Sequence, residues 1–84
     1  MTQTEIYERI QDTLVQKFQI DRKKITPEAS LMKDLGMDSL DAIEMAVHIQ
    51  ELTNQRVAED QLRKLQTVRD VIDMISRMLS TTPA

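Results

Sequence analysis

Cysteine is absent from this sequence, which excludes disulfide staples, thiolate metal sites and a cysteine nucleophile, and fits a reducing compartment. Tryptophan is absent too, and Tyr7 and Phe18 are the only aromatics. Aliphatic side chains must therefore fill the core, and no stacking platform for single-stranded nucleic acid is available. No apolar run approaches the length needed to cross a membrane, so no insertion is expected. The start, Met1-Thr2-Gln3-Thr4-Glu5, lacks the character of a signal peptide, and the expected location is the cytoplasm. Internal repeats, low-complexity tracts and the alternation of β-strands are also missing.

What is present is 84 residues with helical periodicity, enough for one small domain spanning 1–84. A core of this size leaves a stability of roughly a few kcal/mol. Ile6, Ile10, Leu14 and Phe18 recur every four residues, flanked by Tyr7 and Val15, and predict a first helix ending near Gln19. Thr2 or Thr4 is its cap, and Thr2 with Glu5 makes a capping box. Residues 20–37 hold Pro27 and Gly36 and no helical period. They predict a long connection pinned to the core by Ile25, Ala29, Leu31 and Leu35. A second helix is expected from Ser39 to Asn54 with Asp38 as N-cap, and a short third from Glu59 to Lys64. A fourth starts at Thr67, pairs it with Asp70, and buries Val68, Val71, Ile72, Ile75 and Leu79. Residues 80–84 read as a frayed tail. The fold class is an all-α four-helix bundle, three long helices and one short, with a long loop between helices 1 and 2.

The second helix carries two apolar arcs when wound at about 100° per residue. Ala42, Met45, Ala46, Ile49 and Leu52 form one; Leu40, Ile43 and Val47 lie nearly opposite. Glu44 and Glu51 flank the second arc, with Asp41 and His48 further round, so the first arc is the core face. Leu40, Ile43 and Val47 are then an exposed apolar strip edged by carboxylates, a candidate docking site. Residues 41–60 hold five acids against one base, whereas residues 61–84 carry a balance of +2. An acidic middle disfavours nucleic acid and favours a basic protein partner.

Ser39 stands where the glycine-containing loop becomes a helix. Its hydroxyl is then exposed beside the first free N–H groups, a setting that suits a phosphate-linked group. The only histidine, His48, lies roughly 13 Å further along the same helix and cannot serve Ser39 as a base. The string Gly-Met-Asp-Ser-Leu lacks the second glycine of a nucleophile elbow. His48 reads as a solvated helix residue. Asp34, Asp38, Asp41 and Glu44 do not have calcium-loop spacing, and no metal site is expected. The methionines read as core filler, with Met37 and Met45 candidates to line a cavity.

The string Asp34-Leu35-Gly36-Met37-Asp38-Ser39-Leu40-Asp41 resembles the attachment motif of acyl carrier proteins, and the resemblance runs from about Thr4 to Leu79. It implies a carrier rather than an enzyme, with Ser39 esterified by 4′-phosphopantetheine. A phosphopantetheinyl transferase using coenzyme A would add the arm, and acyl groups would ride on it as thioesters for fatty acid or polyketide-type biosynthesis. Asp38, Leu40, Asp41, Ile43, Glu44, Val47 and Glu51 would dock acyl-transferring and chain-extending enzymes with basic patches, the carrier itself being a monomer. The sequence departs from the family pattern at several places. Gln50 replaces a frequent acid, Thr53 a frequent core phenylalanine that Leu52 is expected to replace in part, Ala58 a frequent proline and Met74 a frequent aromatic. Arg63, Lys64 and Arg69 lower the acidity. Two alternatives are an aminoacyl or peptidyl carrier, in which histidine often precedes the serine, and an unmodified helical interaction module.

Overall fold

The computed structural model describes residues 2–80. Helix α1 (Gln3–Phe18) begins at the expected capping box. Glu5 N–H donates to Thr2 Oγ1 at 3.2 Å and Thr2 N–H to Glu5 Oε1 at 2.9 Å. The bonds from Thr2 hold the Glu5 carboxyl below its usual range. The helix stops at Gln19, whose φ of 57° turns the chain out of the helical path. Ile6, Ile10 and Leu14 are buried, while Phe18 in the last turn is half-buried.

Helix α2 (Ser39–Thr53) has Asp38 as its N-cap and ends at Asn54, also left-handed at φ 55°. The short α3 (Glu59–Arg63) follows, its entry fixed where Ala58 N–H donates to Gln61 Oε1 at 3.0 Å. Helix α4 (Val68–Ser80) is preceded by Thr67, whose Oγ1 accepts from Asp70 N–H at 3.2 Å. Asp70 Oδ2 accepts in return from Gln66 and Thr67 N–H at 2.9 and 3.1 Å. These backbone donors lower the Asp70 pKa. Helix α1 packs chiefly on α4, and α2 on α3 and α4. Val68, Val71, Ile72 and Ile75 are buried as expected. Leu79, in the last turn where neighbours thin out, is only half-buried, and Met74 and Met78 enter the core. Ser80 closes α4 instead of beginning a tail, its hydroxyl donating to Ser76 O at 2.9 Å. The rest of the expected tail, residues 81–84, lies outside the described residues.

The connection between α1 and α2 is more ordered than its lack of period implied. It opens with a 3₁₀ turn, Arg22–Lys24, capped by Asp21. Ile25, Ala29, Leu31 and Leu35 are all buried, so the loop is pinned as expected. An isolated antiparallel bridge, Ser30 to Thr67, fastens it to the start of α4. Leu31 N–H donates to Gln66 O at 2.9 Å and Val68 N–H to Ala29 O at 3.1 Å across that bridge. Arg69 adds an exposed ion pair to Glu28 at 2.8 Å. Backbone pairing of this kind has no side-chain period, so the sequence pattern could not show it.

Candidate functional site

Ser39 sits where two local devices meet. The first is the turn ahead of it. Leu35 N–H donates to Ser30 O at 3.0 Å and Met37 N–H to Leu31 O at 2.9 Å. Gly36 joins these bonds at φ +68°, a conformation that costs other residues about 1–2 kcal/mol. A Cβ there would meet nothing within 4 Å, so the demand for glycine comes from the backbone alone. The second device is the capping box of α2. Asp41 N–H donates to Asp38 Oδ1 at 2.9 Å and Asp38 N–H to Asp41 Oδ2 at 3.2 Å. With those two donors engaged, the N–H groups of Ser39 and Leu40 are the ones left at the open end of the helix. The positive end of the helix dipole points the same way.

Ser39 itself is exposed. Behind it opens a pocket of about 260 Å³ that runs from Ser39 to the buried Met37, Met45 and Val71. Leu62 and Leu65, from α3 and the turn after it, close its far side. Met37 and Met45 thus line a cavity, as their flexibility allows. Ala42, expected in the core, is half-buried because it borders this pocket. Ile49 and Ile72 take no part in its lining and stay packed in the core. Three lining residues had no place in the expected site: Met32, 71 % exposed, and Leu62 and Arg63 on α3. Met32 lies in an aperiodic loop and α3 has only five residues, so neither offered a periodic signal.

The two arcs of α2 fall as the helical wheel placed them. Met45, Ala46 and Ile49 are buried. Leu40 is 75 % exposed, Ile43 52 % and Val47 46 %. Asp38, Glu44 and Glu51 are exposed beside them, and Asp41 is half-buried by its capping bonds. His48 departs from expectation. It is half-buried, edge-on to Phe18 with ring centroids 6.0 Å apart, and its Nε2 is buried without a hydrogen-bond partner. The last turn of α1 covers it, which a helix taken alone cannot reveal. His48 therefore faces α1 and not Ser39. Among the described residues no group of three or more acids and histidines is placed to hold a metal ion.

The far end of α2 is repacked with polar groups. Thr53 is 6 % exposed, and Leu52, expected to take up its space in part, is itself half-buried. Thr53 Oγ1 donates to Ile49 O at 2.8 Å and accepts from Gln55 N–H at 3.3 Å. Gln55 Nε2 donates to Met78 O at 2.8 Å, and Gln50 Oε1 accepts from Val57 N–H at 3.3 Å. Thr53 and Gln55 thus join the end of α2 to α4, while Gln50 separately ties α2 to the loop that follows it.

Comparison with known proteins agrees with this geometry. Residues 8–75 match the family model described as the phosphopantetheine attachment site. "Acyl carrier protein 2" of Ralstonia nicotianae is 40 % identical over 80 residues, covering 95 % of this chain and 99 % of that protein. An acyl carrier protein of Thermosynechococcus vestitus is 34 % identical over 80 residues, with the same coverage of both chains. One from Saccharopolyspora erythraea is 36 % identical over 88 residues, covering 100 % of this chain and 93 % of its own. The four-helix order, the turn-and-cap device at the start of α2 and a match over most of the length lead to one conclusion: the chain belongs to the acyl carrier protein family, carriers and not enzymes, whose cofactor is covalently bound 4′-phosphopantetheine.

Proposed function

We propose that this protein is a discrete acyl carrier with Ser39 as the attachment residue, serving fatty acid or polyketide-type biosynthesis as a cytoplasmic monomer. The observation that carries this reading is the exposed Ser39 at the first position of α2, between a capped helix end and an apolar pocket. Ser39 supplies a hydroxyl oxygen and no more, since its chemistry is left to a phosphopantetheinyl transferase. The N–H groups of Ser39 and Leu40 receive the anionic ester at the helix end. When bound, the arm supplies the terminal thiol on which an acyl group is held as a thioester. The apolar wall of Met37, Met45 and Val71 suits an aliphatic segment of the cargo.

Leu40, Ile43 and Val47 supply the apolar centre of the docking surface, with Asp38, Asp41, Glu44 and Glu51 on its rim. Carboxylates so placed speed encounter with basic enzymes more than they prolong the complex, as suits a carrier that must leave. Incubation with coenzyme A and a broad-specificity phosphopantetheinyl transferase, read by intact mass, tests the attachment. The wild type should gain one arm and Ser39→Ala none; a Ser39→Ala variant modified as readily as the wild type would refute the assignment. Docking is tested with the same transferase. Glu44→Lys should weaken its binding about threefold to tenfold at low salt and less at high salt. Binding indifferent to both would remove the acidic rim from the mechanism.

A further inference from the structure

The pocket behind Ser39 has apolar walls with a single cation among its lining residues, Arg63 at the end of α3. The other charged lining residue is Asp38, and Asp41 stands beside it through the capping box. An arm attached at Ser39 therefore brings a phosphodiester anion to a helix end that already holds two carboxylates. Helix-end N–H groups offset part of this repulsion, and the one cationic residue among those lining the same cavity is Arg63. A guanidinium offers five donors in a planar fork matched to paired phosphate oxygens, which the neighbouring Lys64 ammonium does not. Lys64 is also exposed and lines a different surface hollow, with Gln61, Asp73 and Arg77.

We infer that Arg63 is a positioning residue for the arm: it binds the phosphodiester on Ser39 and so directs the arm along the pocket between α2 and α3. This rests on Ser39 being the attachment site. The same guanidinium fits an anionic group on the cargo, such as the free carboxylate of a dicarboxylic acyl chain. The phosphodiester is favoured because its attachment atom is fixed at the pocket mouth.

A thermodynamic cycle separates the possibilities. Apo and holo forms of the wild type, Arg63→Gln, Arg63→Lys and Lys64→Gln are prepared, with intact mass confirming the arm on each. Urea unfolding at low and high salt is then compared, together with the ³¹P chemical shift of the holo forms. A protein that takes no arm fails the carrier reading itself, and intact mass reports that before any unfolding is measured. If Arg63 binds the phosphodiester, the change in unfolding constant on attachment should differ about twofold to fivefold between wild type and Arg63→Gln at low salt. The difference should shrink at high salt, be partly retained in Arg63→Lys and be absent from Lys64→Gln, and only the Arg63 variants should shift the ³¹P signal. Equal effects of Arg63→Gln and Lys64→Gln would reduce Arg63 to part of the general field and overturn the inference, as would no effect of either. Coupling seen only when the arm bears a dicarboxylic acyl group, and not in the holo form or with a monocarboxylic one, would overturn the phosphodiester assignment in favour of the cargo.

Discussion

Thr53 illustrates how a single residue can depart from the expected family pattern and still have its buried hydroxyl satisfied. A buried threonine where a large aromatic is frequent would leave a cavity if the backbone around it stayed fixed. Here the hydroxyl is bonded on both sides, to Ile49 O and from Gln55 N–H, and Gln55 reaches on to Met78 O. The space is organised around hydrogen bonds. Thr53→Val keeps the shape but removes the acceptor for Gln55 N–H, and should cost about 1 kcal/mol in urea unfolding. Thr53→Phe, despite matching the family, should cost about 1–3 kcal/mol through overpacking and displacement of Gln55. The sequence marked Thr53 as a departure. It could not show the remedy, because Gln55 and Met78 meet only when α4 folds back against the end of α2.

At the scale of elements, the helix ends were the most legible feature. Thr2 with Glu5, Asp38 with Asp41 and Thr67 with Asp70 are local pairs three residues apart, and a local pair needs no tertiary partner. The pair at α4 also carries a pH dependence. Its hydrogen bonds favour the Asp70 carboxylate in the folded protein, so the folded pKa lies below the ordinary value of about 3.9. The unfolded chain therefore takes up the proton first as pH falls. The stabilisation is complete above that ordinary value and is lost as pH descends through the lower folded one. Asp70→Asn should lower stability at pH 7 and flatten the acid limb of the stability curve below about pH 4. Urea titrations at stepped pH measure both. The connection between α1 and α2 was only half legible: its anchors were visible as spaced apolar residues, whereas its bridge to Thr67 is a backbone event.

The whole molecule rests on few side chains. Ile6, Leu14, Ile49, Ile75, Val68 and Val71 are the largest fully buried ones, and they bring α1, α2 and α4 to one centre. A domain of this size holds only about 3–5 kcal/mol in total from its core. Ile75→Ala should remove about 2–5 kcal/mol and leave much of the protein unfolded at 25 °C by circular dichroism, while Ile75→Val should cost about 1 kcal/mol. Marginal stability also bears on function, because a pocket reaching Met45 and Val71 lies against this same centre. On the proposed carrier role, cargo that entered it would add apolar contact to the folded state alone and so raise its stability.

The sequence by itself determined the helices, the N-terminal caps of α1, α2 and α4, the inward face of α2 and the place of Ser39, since each depends on spacings of three or four residues along one segment. It also marked Leu40, Ile43 and Val47 as outward, because the carboxylates beside them could not be buried without partners. Only the tertiary structure decided the rest. The covering of His48 by Phe18, the bridge between Ser30 and Thr67, and the pocket that Ser39 and Met45 line together with Leu62, Arg63 and Val71 each arise between segments far apart in the chain. Local periodicity reports which way a side chain faces along its own helix, and packing decides what it meets there.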